Sequence, residues 1–159
     1  MRSAAHGLSV DVPLGWEARI TRPAESAPYL HVASFALIAD AGQFGAGVTA
    51  TMRPDGAFAA LVEYVVDRHI DPDKGLFASR RWQPRLRVGE FSHDQLQVAR
   101  PGHLGAQRFF TTAGRPFCLY AVIAPARRRP AQLVGELSAV LATVRFESPS
   151  APQRAHQAP

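Results

Sequence analysis

The chain has 159 residues, 47% hydrophobic and 19% charged, a globular balance that excludes disorder over most of its length. Its net charge of +5 rests on 18 basic residues of which only Lys74 is a lysine; with abundant Ala and Pro, that bias reads first as the codon usage of a GC-rich genome, so a pI near 10.3 is weak evidence for nucleic acid. One cysteine excludes an internal disulfide and a thiolate-rich metal centre, and no apolar run reaches the roughly 18–20 residues of a membrane span.

The opening "MRSAAHGLSVDVPLGW" lacks an apolar core of signal-peptide length, so a cytoplasmic location is expected. Leu8, Val10 and Val12 alternate with Ser9 and Asp11, the period of a half-buried strand. Pro13 and Gly15 turn the chain into a second strand carrying Trp16, Ala18 and Ile20. Residues 29–38, "YLHVASFALI", are apolar on both faces and predict a strand covered on both sides. The Gly-rich connection 39–47 leads to "VTATM", predicted as a strand with Val48, Ala50 and Met52 on one face. Asp55 then reads as the N-cap of a first helix, since Phe58, Leu61, Val62, Val65 and His69 recur at spacings of three and four. "DPDKG" (71–75) would end it. Residues 76–85 are irregular and rich in Arg and aromatics. Strand-like stretches follow at about 85–91, 93–100 and 104–112, and "TTAGRP" turns the chain into the apolar strand "RPFCLYAVIAP" (115–125). A second helix is predicted from Pro130, with Leu133, Leu137, Val140, Leu141 and Val144 as its stripe, Gly135 inside it, and "TVRFE" (143–147) leaving it as a short strand. The tail 148–159 has no periodicity and reads as disordered. The expectation is one α+β domain over residues 1–147: an antiparallel sheet with two main helices packed on one face.

The segments "GLSVDVPLGWEARI", "LGAQRFFTTAGRPFCLYAVIA" and "LVGELSAVLATVRFE", in this order around a mid-chain helix, resemble the PsbP-like or DcrB-like superfamily over roughly residues 7–147. The shared features are a strand–Pro-x-Gly-Trp–strand opening, a long late hairpin and a final amphipathic helix running into a strand. That resemblance implies a mostly non-enzymatic set of binding proteins, including Eag-type chaperones of secreted toxins, and supplies no catalytic residues. The chain lacks the signal and cysteine of the superfamily's lipoprotein branch.

Chemistry-bearing patterns are few. Cys118 sits among bulky apolar neighbours, which raise a thiol's pKa, so packing is the reading and a Cys118 nucleophile the lesser alternative. His6, His31, His69, His93, His103 and His156 show no metal-ligand spacing. "HIDPDKG" begins like a calcium loop, but Gly75 replaces a ligand and no Glu closes it. "GQFGAG" (42–47) is read as a turn before a strand, whereas a phosphate loop must open a helix. No cofactor and no metal site is expected. Two basic stretches remain, "SRRWQPRLR" (79–87) and "ARRRP" (126–130), the second placed before a helix start that disfavours cations. The favoured function is therefore a non-catalytic module that binds another protein, as adaptor, chaperone or assembly component, with a homodimer compatible. Phe77, Arg80, Arg81, Trp82 and Arg85, together with Tyr120, Arg127, Arg128 and Arg129, are the candidate partner-binding residues. An arginine-driven binder of nucleic acid or another polyanion is the alternative.

Overall fold

A computed structural model describes residues 1–39, 42–67, 69–77 and 81–148. The expected tail from residue 149 onward, and Arg80, lie outside them. The fold is α+β, with two antiparallel sheets. β1 (Arg2–Ala5), β2 (Leu8–Asp11) and a C-terminal strand, β8 (Arg145–Phe146), form the smaller one in the order β1-β2-β8. The larger one takes β3 (Glu17–Thr21), β4 (Tyr29–Ala33), β5 (Ala57–Glu63), β6 (Leu104–Thr112) and β7 (Arg115–Ile123) in the order β3-β4-β5-β7-β6. α1 spans Ala46–Ala50 and α2 Pro130–Leu141.

Two hairpins owe their register to two-residue turns. His6 and Gly7 have φ of 51° and 75°, and Ala113 and Gly114 have 51° and 72°, the paired left-handed conformation that matches strand twist. The first makes β1, a strand that the sequence reading omits.

The central strands β5 and β7 of the larger sheet are buried on both faces. Ala57, Ala59 and Leu61 of β5, with Phe117, Leu119 and Ile123 of β7, face one apolar cluster that α2 closes with Leu133, Leu137 and Leu141, and β2 with Leu8 and Val10. Phe58, Ala60 and Val62, with Tyr120 and Val122, face a second cluster closed by Phe44, Val48, Met52 and Leu96. The two helices thus cover opposite faces, not one.

Four predicted elements are different. The strand expected over 29–38 ends at Ala33. Residues 57–63 form the central strand β5 and not a helix capped by Asp55. "AFAALV" has no polar residue to form a helix's solvated side, and a strand buried on both faces wears the same apolar run. Among the described residues beyond Glu63 there is accordingly no α-helix for "DPDKG" to stop. "VTATM" runs through α1, where Val48 and Met52, four apart, still reach the same cluster. The connection 42–47 therefore opens a helix, but one of only five residues. Its Gly45, at φ 73°, lies so close to Phe58 that an added Cβ would come within 2.2 Å of the ring. Lastly, 85–100 holds 3-10 turns at Val88–Glu90 and His93–Gln95 instead of strands. Leu86 and Phe91 anchor this segment in the core, and the Leu86 N–H is satisfied by Ser138 Oγ of α2 at 2.9 Å. One backbone bridge, Ser92 to Gly105, ties it to β6.

Asp55, at φ 64°, caps a different element from the one expected. Its Oδ1 accepts the backbone N–H groups of Ala126, Arg127 and Arg128 at 2.8, 3.0 and 2.9 Å. Those hydrogen bonds hold its carboxyl below the usual aspartate range. Arg128 also pairs with Glu136 of α2, so part of the second arginine cluster is explained by local structure, contrary to expectation.

Candidate functional site

Cys118 is fully buried on β7. Burial pushes its thiol up to about 12, outweighing a hydrogen bond from the Gln107 side chain. A neutral sulfur in an apolar wall is not a poised nucleophile. His31 is also buried; its Nε2 lies 2.7 Å from the Gln43 carbonyl, and burial, with Arg19 adding to it, lowers its pKa below 6.5. Among the described residues no group of three His, Cys, Asp or Glu side chains gathers into a metal site. No helix there is long and apolar enough to cross a membrane.

The arginine-rich segment does form a site. Residues 81–90 run beside the outer strand β6 and leave a groove of about 580 Å³. Its floor is aromatic. Trp82 lies half-buried with its ring 4.9 Å from that of Phe110 and 5.3 Å from that of Phe146, while Phe109 and Leu119 complete the lining.

Arg108, in the middle of β6, builds the wall. It donates to the carbonyls of Gln83 and Arg85 at 2.8 and 2.9 Å, and to both Glu90 oxygens at 2.5 and 2.6 Å. Its charge is consumed there. Arg81, Arg85 and Arg87 line the same groove, are exposed, and have no carboxylate partner among the described residues. The groove therefore presents excess positive charge over an apolar floor, a combination suited to an anionic ligand with apolar parts.

Of the residues singled out from the sequence, Arg81, Trp82 and Arg85 come together here. Phe77 and Tyr120 do not: both are buried, Phe77 against Tyr64 and Phe109 with ring centroids 5.4 and 5.6 Å away, Tyr120 with its hydroxyl accepting the Gln97 N–H at 2.9 Å. They belong to the packing and not to a partner surface. Arg127, Arg128 and Arg129 stand at the β7–α2 connection, outside the groove lining. The sequence reading missed Arg87, Arg108 and Glu90 as site residues; Arg87 was visible in the basic run, but the role of Arg108 depends on strand pairing that no local pattern encodes.

A second cleft of similar volume lies near the start of β3, lined by Val12, Leu14 and Trp16 with Arg2 and Glu17. Its charged groups are engaged within the fold: the Met1 ammonium donates to the Val12 carbonyl, Arg2 to Ser9 Oγ, and Glu17 accepts the Leu37 N–H. Compared with models of known families, with curated proteins and with solved structures, the chain finds no match.

Proposed function

We propose that this protein is a non-catalytic binding module of the cytoplasm that holds an acidic segment of another protein in the groove between residues 81–90 and β6. The observation that carries this reading is the set of three guanidinium groups, on Arg81, Arg85 and Arg87, without carboxylate partners among the described residues, around an aromatic floor. Desolvating apolar contacts supply affinity, and the arginines select acidic character and fix register. The likeness of residues 7–147 to the PsbP-like or DcrB-like superfamily, whose members are mostly binders, points the same way with less weight.

Direct titration tests it with a ten-residue peptide of alternating glutamate and valine, alongside single-stranded DNA of equal net charge. The peptide is expected to bind, and the double substitution Arg85→Glu, Arg87→Glu to weaken it at least about tenfold (roughly 1.4 kcal/mol). Both positions are exposed, so folding stability should change by no more than about 0.5 kcal/mol. Absence of peptide binding, or tighter binding of the DNA with a steep salt dependence, overturns the proposal; the second result would install the polyanion reading in its place.

A further inference from the structure

The groove opens onto the free margin of the larger sheet. Ser92 and Gly105 exchange both backbone hydrogen bonds, each at 2.9 Å, so the Gly105 N–H and C=O point away from β7. In an antiparallel ladder this direction alternates with a period of two. The backbone groups of Gln107 and Phe109 therefore also point outward, and among the described residues they have no backbone partner on that side. Gln107 and Phe109 themselves line the groove. Ser92 crosses the margin at one end of this stretch. At the other, Thr111 Oγ1 donates to the carbonyls of Pro72 and Phe77 at 3.0 and 3.3 Å. Between them residues 106–110 span roughly 17 Å over which no described residue pairs with the outer backbone groups of β6, the length of about five residues of extended chain.

We infer that the acidic segment binds by strand addition, pairing antiparallel with β6 at Gln107 and Phe109. This rests on the reading of the groove as a site for an acidic protein segment. Alternation then decides which side chains meet which surface. Gln107 and Phe109 lie opposite Tyr120 and Cys118, on the face turned away from α2. Residues hydrogen-bonded to them share that face and take their apolar contact from Phe109, because Trp82 and Phe110 pack with α2 on the other. The intervening residues, opposite Arg108, turn to the α2 side, where Arg85 and Arg87 also line the space beside Val134 and Ser138. Every second residue of the ligand is therefore acidic, and its backbone bonds come from the residues between. An edge that alternates N–H donors with C=O acceptors matches a peptide backbone; a phosphodiester chain, which only accepts, would face the carbonyls unfavourably.

The test uses the alternating glutamate–valine peptide in two forms, one N-methylated at every valine amide, the other at every glutamate amide. Valine methylation is expected to weaken binding at least about tenfold, and glutamate methylation to leave it within about twofold. Hydrogen exchange of the Gln107 and Phe109 amides should slow in the complex. Equal affinities for the two methylated peptides, or loss confined to the glutamate set, overturn antiparallel strand addition while the unmethylated peptide still reports on the groove itself. No binding of the unmethylated peptide overturns both.

Discussion

Arg115 shows how a single side chain can organise this molecule. It is 5% exposed. Its guanidinium donates to Glu63 Oε1 at 2.9 and 2.5 Å, to the Gly7 and Glu147 carbonyls at 2.9 and 3.1 Å, and to the His6 carbonyl at 3.2 Å. It therefore joins β5 and β7 of the larger sheet to the turn and the end of the smaller one. Arg115→Met leaves Glu63 half-buried without its cation and takes the guanidinium from three carbonyls, of which Gly7 keeps the Glu147 N–H, and should cost about 3–5 kcal/mol; Arg115→Met combined with Glu63→Leu should recover part of that. Urea denaturation of the two variants checks the ordering. For Cys118 the expected outcome is silence: with its thiol at about 12, about one part in ten thousand is thiolate at pH 8. A thiol reagent should label it only as fast as the protein unfolds, with the rate rising in urea. Rapid labelling of the folded protein would restore the cysteine-enzyme reading.

At the scale of elements, two glycines make opposite predictions. Gly135 sits in the exposed interior of α2 with open space where a Cβ would go, so Gly135→Ala should stabilise by about 0.5–1 kcal/mol. Gly45→Ala would force a left-handed alanine into the Phe58 ring and should destabilise by at least ~2 kcal/mol. Thermal melts of the pair should move in opposite directions. The same contrast explains what could be read in advance. β2, β3, the β6–β7 hairpin and α2 announce themselves through alternation, Pro-x-Gly and Ala-Gly turns and a Pro-initiated stripe. β5 does not, because burial on both faces erases the polar half of any period. The 85–100 stretch misleads because its two buried anchors, Leu86 and Phe91, mimic a strand while its ties to the rest of the fold are irregular: Ser138 Oγ for the Leu86 N–H, the Tyr120 hydroxyl for the Gln97 N–H and a single bridge at Ser92. In the site, the arginines were visible as a cluster, but which one would be spent on structure was decided by register, with Arg108 opposite Leu119 and beside residues 83–90.

Across the whole molecule, stability should fall in two steps as pH is lowered. The folded state holds His31 below 6.5, chiefly by burial and further by Arg19, its cross-strand neighbour. The unfolded chain therefore binds the first proton more readily, and stability present above pH 6.5 is lost as pH falls beneath it. Asp55 and Asp67 are held below 3.8 by backbone hydrogen bonds, so their contribution is present above that value and disappears in a second, more acidic step. Chemical denaturation at a series of pH values should resolve both, and His31→Gln should shrink the first alone, leaving the part that His103 contributes, which burial and Arg100 also hold below 6.5.

The smaller sheet closes between residues far apart in the chain: Leu8 pairs with Phe146 and Ser9 with Arg145, and Thr143 Oγ1 accepts the Asp11 N–H at 2.9 Å. During synthesis the opening hairpin must wait, with Leu8 and Val10 uncovered, until α2 and β8 have left the ribosome. The last turn of α2 and the two residues of β8 then act as a clasp. Completion of the native state consequently waits for residues 143–146, and nascent chains stalled before residue 143 should be the form that proteases and chaperones recognise.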